Sequence, residues 1–271
     1  MKNCFRIINL FACLTFAVSA CAQITRPGYP HKVVGSVPSV MLNHALKMLG
    51  TPYVAHTLEI NAPNEKLVPN THEVDCTTFV EVVLARSLCR DTNDSTEFLH
   101  NLQRIRYRNG IINGYTSRLH YTTEWVMNGT KHGFLTDITA LYSKDTLPVR
   151  LSYMSTHPES YRQLAHSPEN IAFMADCEKR LNRQTVHYIP KDKLPDKGFT
   201  WIHDGDIILL VTNINGLDNS HLGIAIYRKG ILHLLHASSV GKKVMIQPES
   251  LRRQMAKNSQ WLGIRVVRMK K

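Results

Sequence analysis

From residue 200 onward the chain becomes a succession of short apolar segments, DGDIILLVTN, SHLGIAIYRKG, ILHLLHASS, KKVMIQPES and WLGIRVVRMK. Aliphatic and β-branched runs bounded by Gly, Asn, Lys and Pro predict consecutive strands, and the short connections predict antiparallel pairing. Upstream the period changes to that of a helix. VMLNHALKMLG follows Ser39, a suitable N-cap, and stops at Gly50 ahead of Pro52. Residues 55–74 carry Asn and Pro and few periodic apolar positions, so they read as a loop delivering the chain to Cys76. A second helix is then expected, with Thr78 and Glu81 as a capping box and Phe79, Val82, Val83 and Leu88 as its stripe. Further helices are expected around 95–101 and 159–164. Helices first and strands last define an α+β fold.

The N-terminus, MKNCFRIINLFACLTFAVSACAQ, places Lys2 and Arg6 before an apolar stretch and ends in small residues. This is the pattern of a secretory signal peptide, so residues 1–22 are set apart and 23–271 read as a single catalytic domain. Cys21 fits both a small-x-small cleavage site and the lipoprotein pattern in which it would be acylated. The expected location is therefore outside the cytoplasm, periplasmic or lipid-anchored to a membrane of a Gram-negative bacterium. A formal charge of +12 favours an anionic partner. The basic residues are scattered without a nucleic-acid recognition motif, so nucleic acid is not an expected partner, and much of the charge is solvated surface. Three cysteines remain beyond the leader, Cys76, Cys89 and Cys177. If one bridge forms, it is expected between Cys89 and Cys177, leaving Cys76 free.

Cys76 stands in EVDCTTFVEVVLARSLC. Read alone, it is a buried small hydrophobe, a disulfide partner, a metal ligand or a nucleophile. A helix N-terminus supplies unpaired N–H groups and the positive end of the dipole, which favour a thiolate and an oxyanion. A nucleophile also needs a base, and the base an orienter. Fourteen histidines make any single one weak evidence. His221 and His236, however, lie on consecutive predicted strands across YRKG. A two-residue loop at Lys229-Gly230 pairs 228 with 231 and 223 with 236, placing both rings on one face with Cβ atoms about 5 to 8 Å apart. In that register His233 points the other way, and with no HExxH element a metal-dependent hydrolase is disfavoured.

DCTTFVE, GDIILL, SHLGIAIY and LLHASS, in that order, resemble the NlpC-type superfamily of cell-wall cysteine amidases, and ALKMLGTPYV resembles its first helix and Gly-x-Pro-Tyr turn. The resemblance spans 40–89 and 200–268. It implies a papain-like α+β core, N-terminal helices packed on a small antiparallel sheet, with Cys76 as nucleophile, His221 as base and His236 as orienter. It implies no metal and no cofactor. Residues 90–199 form a large insertion expected to shape the substrate cleft. With YRNGIINGYTSRLHYTTEW and LSYMSTHPESY, the chain looks like the branch resembling N-acetylmuramoyl-L-alanine amidases. That branch implies hydrolysis of the amide between muramic acid and L-alanine, with anhydro-muropeptides as partners. The wider superfamily implies cleavage between D-glutamate and diaminopimelate instead, and a non-catalytic wall-binding protein is a further alternative. In the peptide-cutting members the residues matching Tyr53 and Asp75 hold a free amine, so Asp75 is either a helix cap or a substrate contact. Arg118, His120, Tyr121 and Trp125, and Tyr107 more weakly, offer planar donors and aromatic faces suited to a sugar. The alternative for Tyr121 and Trp125 is the buried face of a helix.

Overall fold

The computed structural model describes residues 39–61 and 64–270; residues 1–22, expected to be a signal peptide, and Cys21 lie outside them. The described residues form seven α-helices: α1 (Val40–Lys47), α2 (Cys76–Leu88), α3 (Ser95–Arg106), α4 (Thr122–Lys131), α5 (Tyr153–Thr156), α6 (Pro168–Leu181) and α7 (Leu251–Ala256). The strands are β1 (Leu135–Asp137), β2 (Thr146–Pro148), β3 (Thr185–His187), β4 (Ile189–Pro190), β5 (Ile207–Thr212), β6 (Asn219–Arg228), β7 (Ile231–Ser238), β8 (Lys243–Ile246) and β9 (Trp261–Met269).

Seven strands make one antiparallel sheet in the order β1-β9-β5-β6-β7-β8, with β4 also paired to β9; β2 and β3 form a separate antiparallel pair. The alternation of strand side chains divides the core into two layers. Ile207 and Leu209 of β5 join Leu222, Ile224 and Leu235 under Phe79, Val80 and Val83 of α2. Ile208 and Leu210 face the opposite side, with Ala225, Leu234, Ile264 and Val266, covered by Leu251 and Met255 of α7 and by Trp201 and Trp261. Every residue of β5 is buried, as a central strand covered on both faces must be.

The segment 90–199 is more than an appendage to this core. It builds its own apolar cluster around Tyr121, Leu151, Met154, Met174 and Leu181, and it also lends β1 and β4 to the main sheet through β9. The sheet is therefore larger than the small one expected. These two strands have three and two residues, too few to show a period. Helix α6 is a second difference. Ser167 caps it and Pro168 occupies its first turn, a start signal present in the sequence. The helix expected at 159–164 is instead a single 3-10 turn, Pro158–Ser160, and α3 runs on to Arg106.

The cap of α2 also departs from expectation. Asp75 is the N-cap: its Oδ1 accepts from the Thr78 N–H at 2.8 Å, while Thr78 Oγ1 accepts from the Asp75 N–H at 2.8 Å. Glu81 is not part of this box. It lies buried in an ion pair with Arg106 (2.7 Å), whose Nη1 donates to the Val68 carbonyl at 2.7 Å. Beside it Arg118 grips Glu59 (2.8 Å) and Glu65 (2.7 Å), and Tyr107 donates its hydroxyl to Glu65 at 2.7 Å. Gln163 closes the network on Glu59. These bonds latch the loop between α1 and α2 to the 90–199 segment.

Candidate active site

Cys76 is the first residue of α2, and its sulfur packs against β6. Thr77, through hydroxyl and backbone N–H, and the Leu222 backbone N–H all direct hydrogen bonds at it. Burial and then the Asp75 carboxylate act in the other direction and win, pushing the thiol up to about 12. At rest the sulfur is thus protonated, with a ring of donors ready to receive negative charge.

The next residue along β6 is His221. Arg228 pairs with Ile231 and Ile224 with Leu235, so the two-residue turn and register are those expected for the hairpin. His221 Nε2 and His236 Nδ1 lie 2.6 Å apart, with the rings nearly perpendicular at 87°. Gly223 permits this approach: a Cβ there would stand 2.9 Å from His236 Cβ and 2.8 Å from the Leu235 carbonyl oxygen. Burial lowers His221 to about 3, helped by the neighbouring His236, and burial lowers His236 to about 4. Both imidazoles are neutral at neutral pH. His221 Nε2 being engaged with His236, Nδ1 is the remaining ring nitrogen. His233 lies on the other face, its Nδ1 donating to the Gln247 carbonyl at 2.9 Å, so it is not paired with His236 as a metal site would require.

Tyr53 completes this corner. It bridges to Val74, and its hydroxyl is raised by burial first, and then by the negative charge that Cys76 and Asp75 beside it carry when ionised. Asp75 is occupied by the helix cap. Trp261, which the sequence did not single out, stands next to His221 with ring centroids 6.5 Å apart and planes within 20° of parallel. Its Nε1–H donates to Ser220 Oγ at 3.0 Å, which holds the indole over the start of β6.

The remaining residues expected to contact substrate have other work. Arg118 is 6% exposed and already paired twice; burial pulls its pKa down, but Glu65 and Glu59 hold it above its ordinary value. Tyr107 is spent on Glu65. Tyr121 donates to Glu178 at 2.6 Å and accepts from the Met154 N–H at 3.0 Å, inside the 90–199 cluster. Trp125 is core, 4% exposed, as a helix-face reading allowed. His120 is half-buried against Tyr115, its Nε2 bonded to the Tyr115 carbonyl at 3.1 Å, and burial and then Arg118 lower it to about 3. The expected Cys89–Cys177 bridge does not form. Both thiols are free: Cys89 donates to the Ala85 carbonyl within its own helix, and Cys177 to Glu124 in the insertion.

The family model for AmiA-like proteins, N-acetylmuramoyl-L-alanine amidase-like, matches residues 44–264. The chain belongs to this family. It is thereby placed among amidase-like peptidoglycan hydrolases. A solved N-acetylmuramoyl-L-alanine amidase from Bacteroides uniformis ATCC 8492 is 53% identical, over 85% of this chain and 98% of its own, with a TM-score of 0.84. A candidate xylanase from Bacteroides fragilis is equally similar, at 53% identity over 84% of this chain and all of its own, with a TM-score of 0.83. Protein LPG0564 from Legionella pneumophila shares the fold, with a TM-score of 0.67 at 22% identity over 87% of this chain and 90% of its own. No curated protein matches the chain.

Proposed function

We propose that the protein is a cysteine-dependent N-acetylmuramoyl-L-alanine amidase on a papain-like, NlpC-type core, acting on muropeptides in their 1,6-anhydro form. The observation that carries this reading is the pairing of His221 on β6 with His236 on β7, beside the Leu222 N–H that is directed at the Cys76 sulfur. In the proposed reaction His221 Nδ1 takes the thiol proton as Cys76 Sγ bonds to the lactyl carbonyl carbon. The oxyanion that forms meets the Cys76 N–H, the first-turn donor of α2 that the Asp75 cap does not take up. Collapse breaks the C–N bond, and the proton held by His221 leaves on the L-alanine amine. Water then attacks the thioester, giving up a proton to His221, and the returning proton restores the thiol. Because thiol and imidazole are both neutral at rest, proton transfer accompanies C–S bond formation instead of preceding it.

Export, with the protein periplasmic or lipid-anchored through Cys21, is part of the same proposal and rests on the signal-like pattern of residues 1–22. Hydrolysis of a glycosidic bond, as a xylanase would perform, ordinarily calls for two carboxylates flanking that bond. The carboxylate beside Cys76, Asp75, is committed to the cap of α2. Tyr53 next to Asp75 gives the peptide-cutting alternative its one point of support. Incubation with a disaccharide-tetrapeptide and its anhydro counterpart, followed by mass analysis, tests the reading. Intact stem peptide and free sugar are expected, faster from the anhydro form. Release of a fragment beginning at diaminopimelate would overturn it.

A further inference from the structure

Gln247 follows β8 directly, and the register sets it diagonally across from His236. His236 pairs with Met245, and the Gln247 N–H donates to the Leu234 carbonyl at 2.8 Å, extending the ladder so that His236 and Gln247 share one face of the sheet. Diagonal neighbours on a sheet are within reach of a long side chain. The main chain of Gln247 is fixed from its other side, where its carbonyl accepts from His233 at 2.9 Å. Its carboxamide lies beside the His236 ring and favours the protonated form against burial. His236 Nε2 itself is buried and short of a well-formed hydrogen bond.

Bond order along the relay decides what Nε2 must carry. For His221 Nδ1 to accept from the thiol, the neutral His221 holds its hydrogen on Nε2 and donates it to His236 Nδ1 across 2.6 Å. His236 then holds its own hydrogen on Nε2, a donor that needs an acceptor in a buried site. Among the described residues the charged groups acting on the two rings are the rings themselves, and no carboxylate supplies the acceptor. The Gln247 carboxamide, which adjoins the ring, carries such an acceptor in Oε1.

We propose that Gln247 is a positioning residue that accepts from His236 Nε2–H, fixes the tautomer of His236, and through it holds His221 with Nδ1 free to face Cys76. A neutral acceptor orients the relay without adding a fixed negative charge, so the base stays weak until substrate arrives. The inference rests on the reading of His221 as the base.

The test combines a spectroscopic and a kinetic readout on the full chain. Nitrogen NMR of the histidine-labelled protein should show both His221 and His236 as Nε2–H tautomers. Gln247→Leu should convert His236 to a mixture and lower kcat about 10- to 100-fold with KM little changed, the size typical of a lost orienting partner. Gln247→Glu should restore the single tautomer and shift the acid limb of the rate profile to higher pH, since a carboxylate stabilises the protonated relay. If Gln247→Leu does not fold, Gln247→Asn, which withdraws the acceptor by one methylene, should show the same direction. Wild-type tautomers and kcat in these variants would overturn the inference. The NMR arm is independent of turnover: a tautomer change in a protein that releases no stem peptide would reject the reaction and leave the role of Gln247 standing.

Discussion

Buried polarity is handled in two opposite ways within this molecule. In the latch between the 55–74 loop and the insertion, Arg106 and Arg118 are paired with Glu81, Glu59 and Glu65, with Tyr107 filling a remaining acceptor. Around Cys76 the thiol and the two imidazoles are neutral, with donors directed at the sulfur, the Asp75 carboxylate turned to the cap of α2, and no counter-charge on the rings. A matched network has nothing left to give to a ligand, and removing one member strands a charge. A neutral cluster can accept a transferred proton and the charges that come with it. The same burial that makes the first region rigid makes the second reactive.

Four outcomes would break or sharpen this contrast. The largest is expected for Cys76→Ala, which should reduce turnover by roughly 10^4-fold or more while leaving the thermal midpoint within a few degrees; appreciable residual turnover would remove Cys76 from the chemistry. Arg118→Met comes next. It should cost about 3 to 5 kcal/mol in urea unfolding by stranding Glu59 and Glu65, with the folded fraction retaining its kcat. A stable Arg118→Met protein lacking activity would instead move Arg118 into the substrate site.

A smaller effect concerns acid. His221 and His236 have native pKa values of about 3 and about 4, below the ordinary value near 6.5 of the unfolded chain. The stability they contribute as neutral rings is full above about pH 6.5 and is lost progressively as pH falls through that range toward the native values. Urea midpoints at pH 7, 5.5 and 4.5 should decline, and the decline should be shallower in His236→Gln. Asp75→Asn should have the least effect, within about 0.5 kcal/mol, because asparagine caps a helix nearly as well. If turnover collapses in that variant, Asp75 touches substrate as well as capping α2.

What could be read from the sequence follows the same division. The hairpin carrying His221 and His236 was legible because the turn at Lys229-Gly230 fixes register, and register fixes face. Ser39 likewise marked the start of α1, which closes at Lys47 with Met48 as its cap, short of the Gly50 expected to end it. The stretch from Tyr107 to Trp125 misled for a physical reason: guanidinium and aromatic groups serve a buried latch as well as they serve a sugar, and the deciding partners, Glu59, Glu65 and Glu178, are remote in sequence. Trp261 and Gln247 were not marked for the opposite reason. Each lies at or beside the end of a strand and acquires its meaning only from the ring it adjoins. The strands β1 and β4 were invisible because pairing with β9, and no pattern of their own, makes them strands.

Gly223 carries no functional group, yet the relay leans on it. His236 reaches His221 through space that any larger residue on β6 would fill, so the contact between the rings depends on an absent methyl group. The position offers nothing for a chemist to label, yet a Cβ there would press on His236 and on the Leu235 carbonyl. A survey of this enzyme by reactive side chains alone would pass over it, and a single carbon added there would reach the base without touching it.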